Sequence, residues 1–138
     1  MKILEEIQEM LSYYKSNYKN LEINNLLDFQ DKLSINSYFL AEEVAKIKAE
    51  YNFDYYNRKI EFSKSKQGFI NQSKKNYEAD NLASIETQQL LNTEVEFESV
   101  GFRLELLLKQ VNKILSAVNQ RISYLKFEKN QTNIQNQT

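Results

Sequence analysis

The chain contains no proline, cysteine, histidine or tryptophan, and only two of its 138 residues are glycine. Proline and glycine are the strongest interruptions of regular backbone, so their scarcity permits very long helices. The absence of cysteine rules out a disulfide scaffold. Without histidine or cysteine the usual zinc ligand sets, and the commonest pairs of nucleophile and general base, cannot be assembled. No Walker-type phosphate loop and no Rossmann glycine pattern occurs, so no cofactor is expected. Long apolar runs are missing as well. Leu106, Leu107 and Leu108 stand between Glu105 and Lys109, far below the roughly 20 residues that a spanning helix needs. Glu5, Glu6 and Glu9 break up the first residues, so no secretory signal is readable. These exclusions predict a soluble, intracellular, non-catalytic protein with no membrane partner.

What is present is helical periodicity. Ile3, Ile7, Met10, Leu11, Tyr14 and Tyr18 recur at three- and four-residue intervals, which predicts a first helix over residues 2–18 with one apolar face. Asn24 or Asn25 is expected to cap a second helix over residues 26–66. Within it Leu26, Leu33, Leu40 and Ile47 fall seven residues apart, with Val44, Tyr51 and Arg58 in the alternate seam position. This is a coiled-coil pattern. Gln30, Ser37 and Asp54 interrupt it, which favours a helical hairpin over an ideal two-stranded zipper. A third helix is expected over residues 74–128, with a seam running from Ala79 and Ala83 through Leu104, Val111 and Val118 to Leu125.

The segment from Ser63 to Ser73 holds Gly68, the one glycine between the two long periodic stretches. The expectation is that Gly68 takes the left-handed conformation that ends a helix, and that Asn71 or Ser73 caps the next one. Gly101 lies inside the third helix, where a close contact or a bend are the two readings. From Val100 to Leu125, 14 of 26 residues are apolar, whereas from Asn71 to Ser99 only 9 of 29 are. A wide apolar surface requires two neighbours and a thin stripe only one. The fold class that follows is all-α: a long antiparallel, coiled-coil-like helical hairpin with the N-terminal helix packed at its base. Residues 1–128 are expected to form a single domain, and the polar residues 129–138 a disordered tail.

Charge is unevenly distributed. Residues 58–75 carry Arg58, Lys59, Lys64, Lys66, Lys74 and Lys75 against Glu61 alone, a local charge of +5 in a chain of net charge −1. In a hairpin these cations gather at the turn, together with Phe69. Cations neutralising phosphates beside rings that stack on bases suit single- or double-stranded nucleic acid. The competing reading is a solvated turn, because cations near a helix C-terminus complement its dipole. Lys74 and Lys75 do not fit that reading, since they precede a helix. Glu94, Glu96 and Glu98 form an acidic cluster, with Glu94 and Glu98 on one helix face. With no histidine to complete a bundle metal site, it reads as a solvated or inter-helix pairing face. Tyr14, Tyr18, Tyr51, Phe97 and Phe102 have the spacing of core residues.

Two stretches, Leu40 to Lys59 (LAEEVAKIKAEYNFDYYNRK) and Thr93 to Lys126 (ending LSAVNQRISYLK), resemble small helical coiled-coil proteins of bacteriophage genomes. Some of those proteins are encoded near replication or recombination genes. The resemblance covers about half of the chain, carries no functional residues with it, and implies residence in a host cytoplasm. Two functions follow as expectations. One is a non-catalytic accessory protein that touches nucleic acid through Arg58, Lys59, Lys64, Lys66, Phe69, Lys74 and Lys75. The other is a structural or assembly protein that works by protein–protein interaction and homo-oligomerisation.

Overall fold

The computed structural model describes residues 2–137, with side chains through Asn136. Met1 and Thr138, which the expected domain and tail include, lie outside the described residues. The fold is all-α. Helix α1 spans Lys2–Asn17 and continues into a short 3-10 turn, Tyr18–Asn20. Helix α2 spans Ile23–Asn71, α3 Asn76–Glu86 and α4 Gln88–Gln137. Contacts pair early residues of α2 with late residues of α4, so the two helices run antiparallel: Gln30 donates to Asn119, and Arg58 donates to Glu94.

Several helix ends differ from the sequence expectation, each for a local reason. Helix α2 begins ahead of the asparagines, because the Leu26 amide already donates to the Glu22 carbonyl at 3.0 Å. It does not stop at Gly68. The helix continues through Asn71, and Ser73 takes the left-handed conformation instead, with φ 66°. The Lys74 amide donates to the Phe69 carbonyl at 3.2 Å and the Ser73 amide to the Ile70 carbonyl at 2.9 Å. That pair of bonds is a Schellman closure, which satisfies the last carbonyls of the helix. Neither Asn71 nor Ser73 caps the next helix; the N-cap is Lys75, whose side chain makes no capping bond.

The expected third helix is two helices. Thr87, buried, separates α3 from α4, and its hydroxyl donates back to the Ala83 carbonyl at 2.8 Å. Such back-bonding competes with the regular helix ladder. At the other end, α4 does not stop at residue 128 but continues through Gln137.

The described residues group into two compact units. One comprises Val44–Leu104, and the other the segments on either side of it. In the flanking unit α1 packs against α2 and α4. Ile7, Leu11 and Tyr14 of α1 are buried with Leu26, Phe29, Leu33 and Leu40 of α2 and Val111, Val118 and Ile122 of α4. Tyr14 stacks on Phe29 with ring centroids 5.3 Å apart. Burial pushes the Tyr14 phenol above its ordinary pKa, an effect that the Arg121 cation opposes. This is the three-helix base that the apolar density of the third helix implied.

The central unit has a thinner interior: Val44 and Leu104 with the alanines Ala79 and Ala83. Gly101 is buried here, and a Cβ placed on it would lie 3.2 Å from Cγ2 of Ile47. Of the two readings of this glycine, the close helix contact is the correct one. Gly68 meets nothing within 4 Å and is simply an exposed helical residue. The interior also holds an ion pair. Glu94 is 5% exposed and accepts both Nε and Nη2 of Arg58, the latter at 3.3 Å. The Glu94 carboxylate raises the Arg58 pKa above its ordinary value, chiefly through that hydrogen bond. Of the three glutamates in the acidic cluster, Glu94 is the one turned inward to pair between helices.

Candidate functional site

All seven residues expected at a basic turn belong to the central unit, but they differ in their surroundings. Arg58 is committed to Glu94. Lys66 pairs with Asp80 at 2.9 Å, and the adjacent Ser65 hydroxyl donates to Glu86. Lys64 lies 3.7 Å from Glu61 one turn earlier, both side chains largely exposed. Lys59 sits over the Tyr55 ring, 4.4 Å from its centroid. Lys74 and Lys75 are exposed, and among the described residues neither forms an ion pair. Phe69 is half-buried at the end of α2. The exposed ring beside the turn is Tyr77, 62% accessible, in the first turn of α3.

The charge count along the sequence is thus an overestimate of the free positive charge. Helix α3 and the start of α4 return acidic residues to the same end of the hairpin, and Asp80, Glu86 and Glu94 engage Lys66, Ser65 and Arg58. What stays available is a smaller group: Lys64, Lys74 and Lys75 with Tyr77. Tyr77 lies just outside the basic run of residues 58–75, and its place two residues after the Lys74–Lys75 pair is the sequence signal for it.

The second feature of this unit is apolar. On α2, Phe53 is 70% exposed, Tyr56 63% and Ile60 54%. With the exposed Ala49 they follow a four-three-four spacing, which places all four along one line of the helix. The buried seam, carried in this unit by Val44, Ile47 and Tyr51, runs along a different side of α2. A groove beside this line is lined by Ala49, Glu50, Phe53 and Asp54 of α2 and by Thr93 and Phe97 of α4. Phe102, expected in the core, is also exposed, as is Val95 seven residues before it on α4. Two heptad series out of phase on α2 are visible in the sequence, and their spacing alone does not tell which of them is covered.

No grouping of three or more carboxylate, histidine or cysteine side chains able to hold a metal ion occurs among the described residues. None of their helices is long and apolar enough to cross a membrane. No family model matches this chain, and neither the curated proteins nor the solved structures contain a similar one.

Proposed function

We propose that this chain is a structural or assembly protein without catalytic activity, acting by protein–protein interaction through the apolar line on α2 of its central unit. The observation that carries this reading is the exposure of Phe53, Tyr56 and Ile60 at helical spacing. Isolated exposed apolar residues are ordinary, but a contiguous line beside an apolar groove is the mark of an interaction surface. Two of these three side chains are aromatic, the type enriched where interfaces concentrate their binding energy.

The test is a photo-crosslinking phenylalanine analogue in place of Phe53, introduced in the cell that naturally makes the protein. Protein adducts are expected at Phe53, and are expected to disappear when Tyr56 and Ile60 are changed to serine and aspartate. An absence of adducts at Phe53, with efficient labelling by the same group at a buried control position, sinks the reading.

A second reading rests on a separate observation, the exposure of Lys64, Lys74, Lys75 and Tyr77 around the α2–α3 turn. Cations on a backbone and a ring on a base are the parts of a single-strand contact. If nucleic acid binds there, the joint change of Lys64, Lys74 and Lys75 to glutamine weakens binding and flattens its salt dependence. Changing Tyr77 to alanine weakens single-strand binding more than duplex binding. Retention of full affinity by the triple variant removes the turn as a contact site.

A further inference from the structure

A second groove lies in the flanking unit, between α1 and α2. Its volume is about 510 Å³, and Glu6, Glu9, Met10 and Tyr13 of α1 line it with Lys32 and Ile35 of α2. Tyr13 and Ile35 are more than half exposed. Met10 is held in place by the Asn36 amide, which donates to its sulfur at 3.2 Å.

The surroundings of this groove are acidic. The segments that form it, residues 2–13 and 28–36, carry Glu5, Glu6, Glu9, Asp28 and Asp31 against Lys2 and Lys32. Lys32 is already held by Asp28 at 3.0 Å. Glu6 and Glu9 are exposed, and neither forms an ion pair among the described residues. Two unpaired carboxylates one turn apart, next to an open apolar groove, call for a ligand with two cations beside a ring.

The chain itself presents such a ligand. At the α2–α3 turn Lys74 and Lys75 form no ion pair among the described residues, with Glu78 included among the groups they leave alone. Tyr77, two residues on, is exposed. Lys75 is the N-cap of α3 and its side chain makes no capping bond, so an incoming carboxylate also complements the dipole of that helix. We propose that the α2–α3 turn of a second copy docks in the α1–α2 groove. Lys74 and Lys75 meet Glu6 and Glu9, and the Tyr77 ring enters beside Tyr13, Met10 and Ile35, where ring and sulfur contacts favour it.

Charge selects this occupant. A second groove laid on the first sets acid against acid, and nucleic acid sets phosphates against the same carboxylates; like charges so placed are unfavourable. The turn of the same copy does not reach. Asn36 and Asn71 are 35 residues apart on the unbroken α2, roughly 52 Å of rise. The contact joins two unlike surfaces, so each copy keeps one groove and one turn open and copies add head to tail. It is independent of the apolar line on α2, and it gives the turn lysines carboxylates rather than phosphates as partners.

The experiment uses the purified full-length chain, which has no cysteine of its own. Lys32→Cys marks the groove and Asn76→Cys the turn, both at exposed positions. A short bismaleimide is expected to join the two variants when they are mixed at low salt, and to join neither to itself. Glu6→Lys with Glu9→Lys on the groove-marked chain is expected to lower the mixed adduct about tenfold. Lys74→Glu with Lys75→Glu on the turn-marked chain is expected to do the same. With both reversals present, one in each chain, the adduct returns, and helical circular dichroism is unchanged throughout.

A mixture in which unlike variants are joined no more than like ones overturns the proposal. So does an adduct indifferent to either reversal, or one that the paired reversals fail to restore. None of these results bears on Phe53, whose capture of protein in the cell tests the assembly reading separately.

Discussion

The two units draw on the same two long helices, yet among the described residues eleven of the buried apolar side chains belong to the flanking unit and four to the central one. Two of those four are alanines, and all six of the largest fully buried side chains lie in the flanking unit. The difference is α1. A pair of helices buries one stripe from each member, and a third helix closes the space between them into a core. The central unit has α3 instead, an 11-residue helix that contributes Ala79 and Ala83 to the interior. Its interior also holds the Arg58–Glu94 pair, and an aromatic line on α2 faces solvent. A small core and an open apolar face are two results of one shortage of covering helix.

Three sets of substitutions break or sharpen this comparison. The largest effect is expected in the flanking unit, where Leu33→Ala removes a fully buried side chain at a cost of about 2–5 kcal/mol. Val44→Ala, in the central unit, is expected to cost about 2 kcal/mol. Urea unfolding measures both, and amide hydrogen exchange locates the difference. Amides of residues 88–104 should open at lower free energy than those of residues 111–122. Equal protection in the two segments would show that the units share one cooperative core.

Next in size is the ion pair. Glu94→Leu leaves Arg58 without its partner in a part-buried position, at a cost of about 1–3 kcal/mol. The partial exposure of Arg58, 23% of its side chain, keeps the cost below that of a fully buried charge. Adding Arg58→Met is expected to recover most of the loss, because two apolar residues can fill the space without desolvating a charge. A double variant as unstable as Glu94→Leu alone would mean that the pair contributes through packing rather than charge.

The last set lies in the backbone of the central unit, where the substitutions differ in sign. Gly101→Val drives atoms into Ile47 and is expected to destabilise by about 1–3 kcal/mol. Gly68→Ala fills open space on a helix and is expected to stabilise by about 1 kcal/mol. Ser73→Gly relieves a side chain held at φ 66°, with a gain of about 1 kcal/mol. Thermal melts of the three variants read these signs directly.

The sites were legible to different degrees. The lysines around the turn were visible as a run of like charge, but their partners were not. Asp80, Glu86 and Glu94 stand 14 to 36 residues from the groups they engage, and linear charge counting does not register contacts across a turn. The apolar line on α2 was legible in principle, since Ala49, Phe53, Tyr56 and Ile60 keep a strict spacing. Nothing in the spacing says which of two series on a helix is buried. That is decided by whether a neighbouring helix covers it.

By itself the sequence determined that the protein is helical, that α2 and α4 pair antiparallel, and that α1 packs where α4 is richest in apolar residues. These follow from periodicity, from the lack of proline and from the density of apolar side chains, all local quantities. Tertiary structure decided where the chain reverses, why Gly101 has no side chain, which cations are neutralised and which apolar line stays open. Each of these depends on the distance between residues remote in the chain, and a helix's own periodicity carries no record of what packs against it.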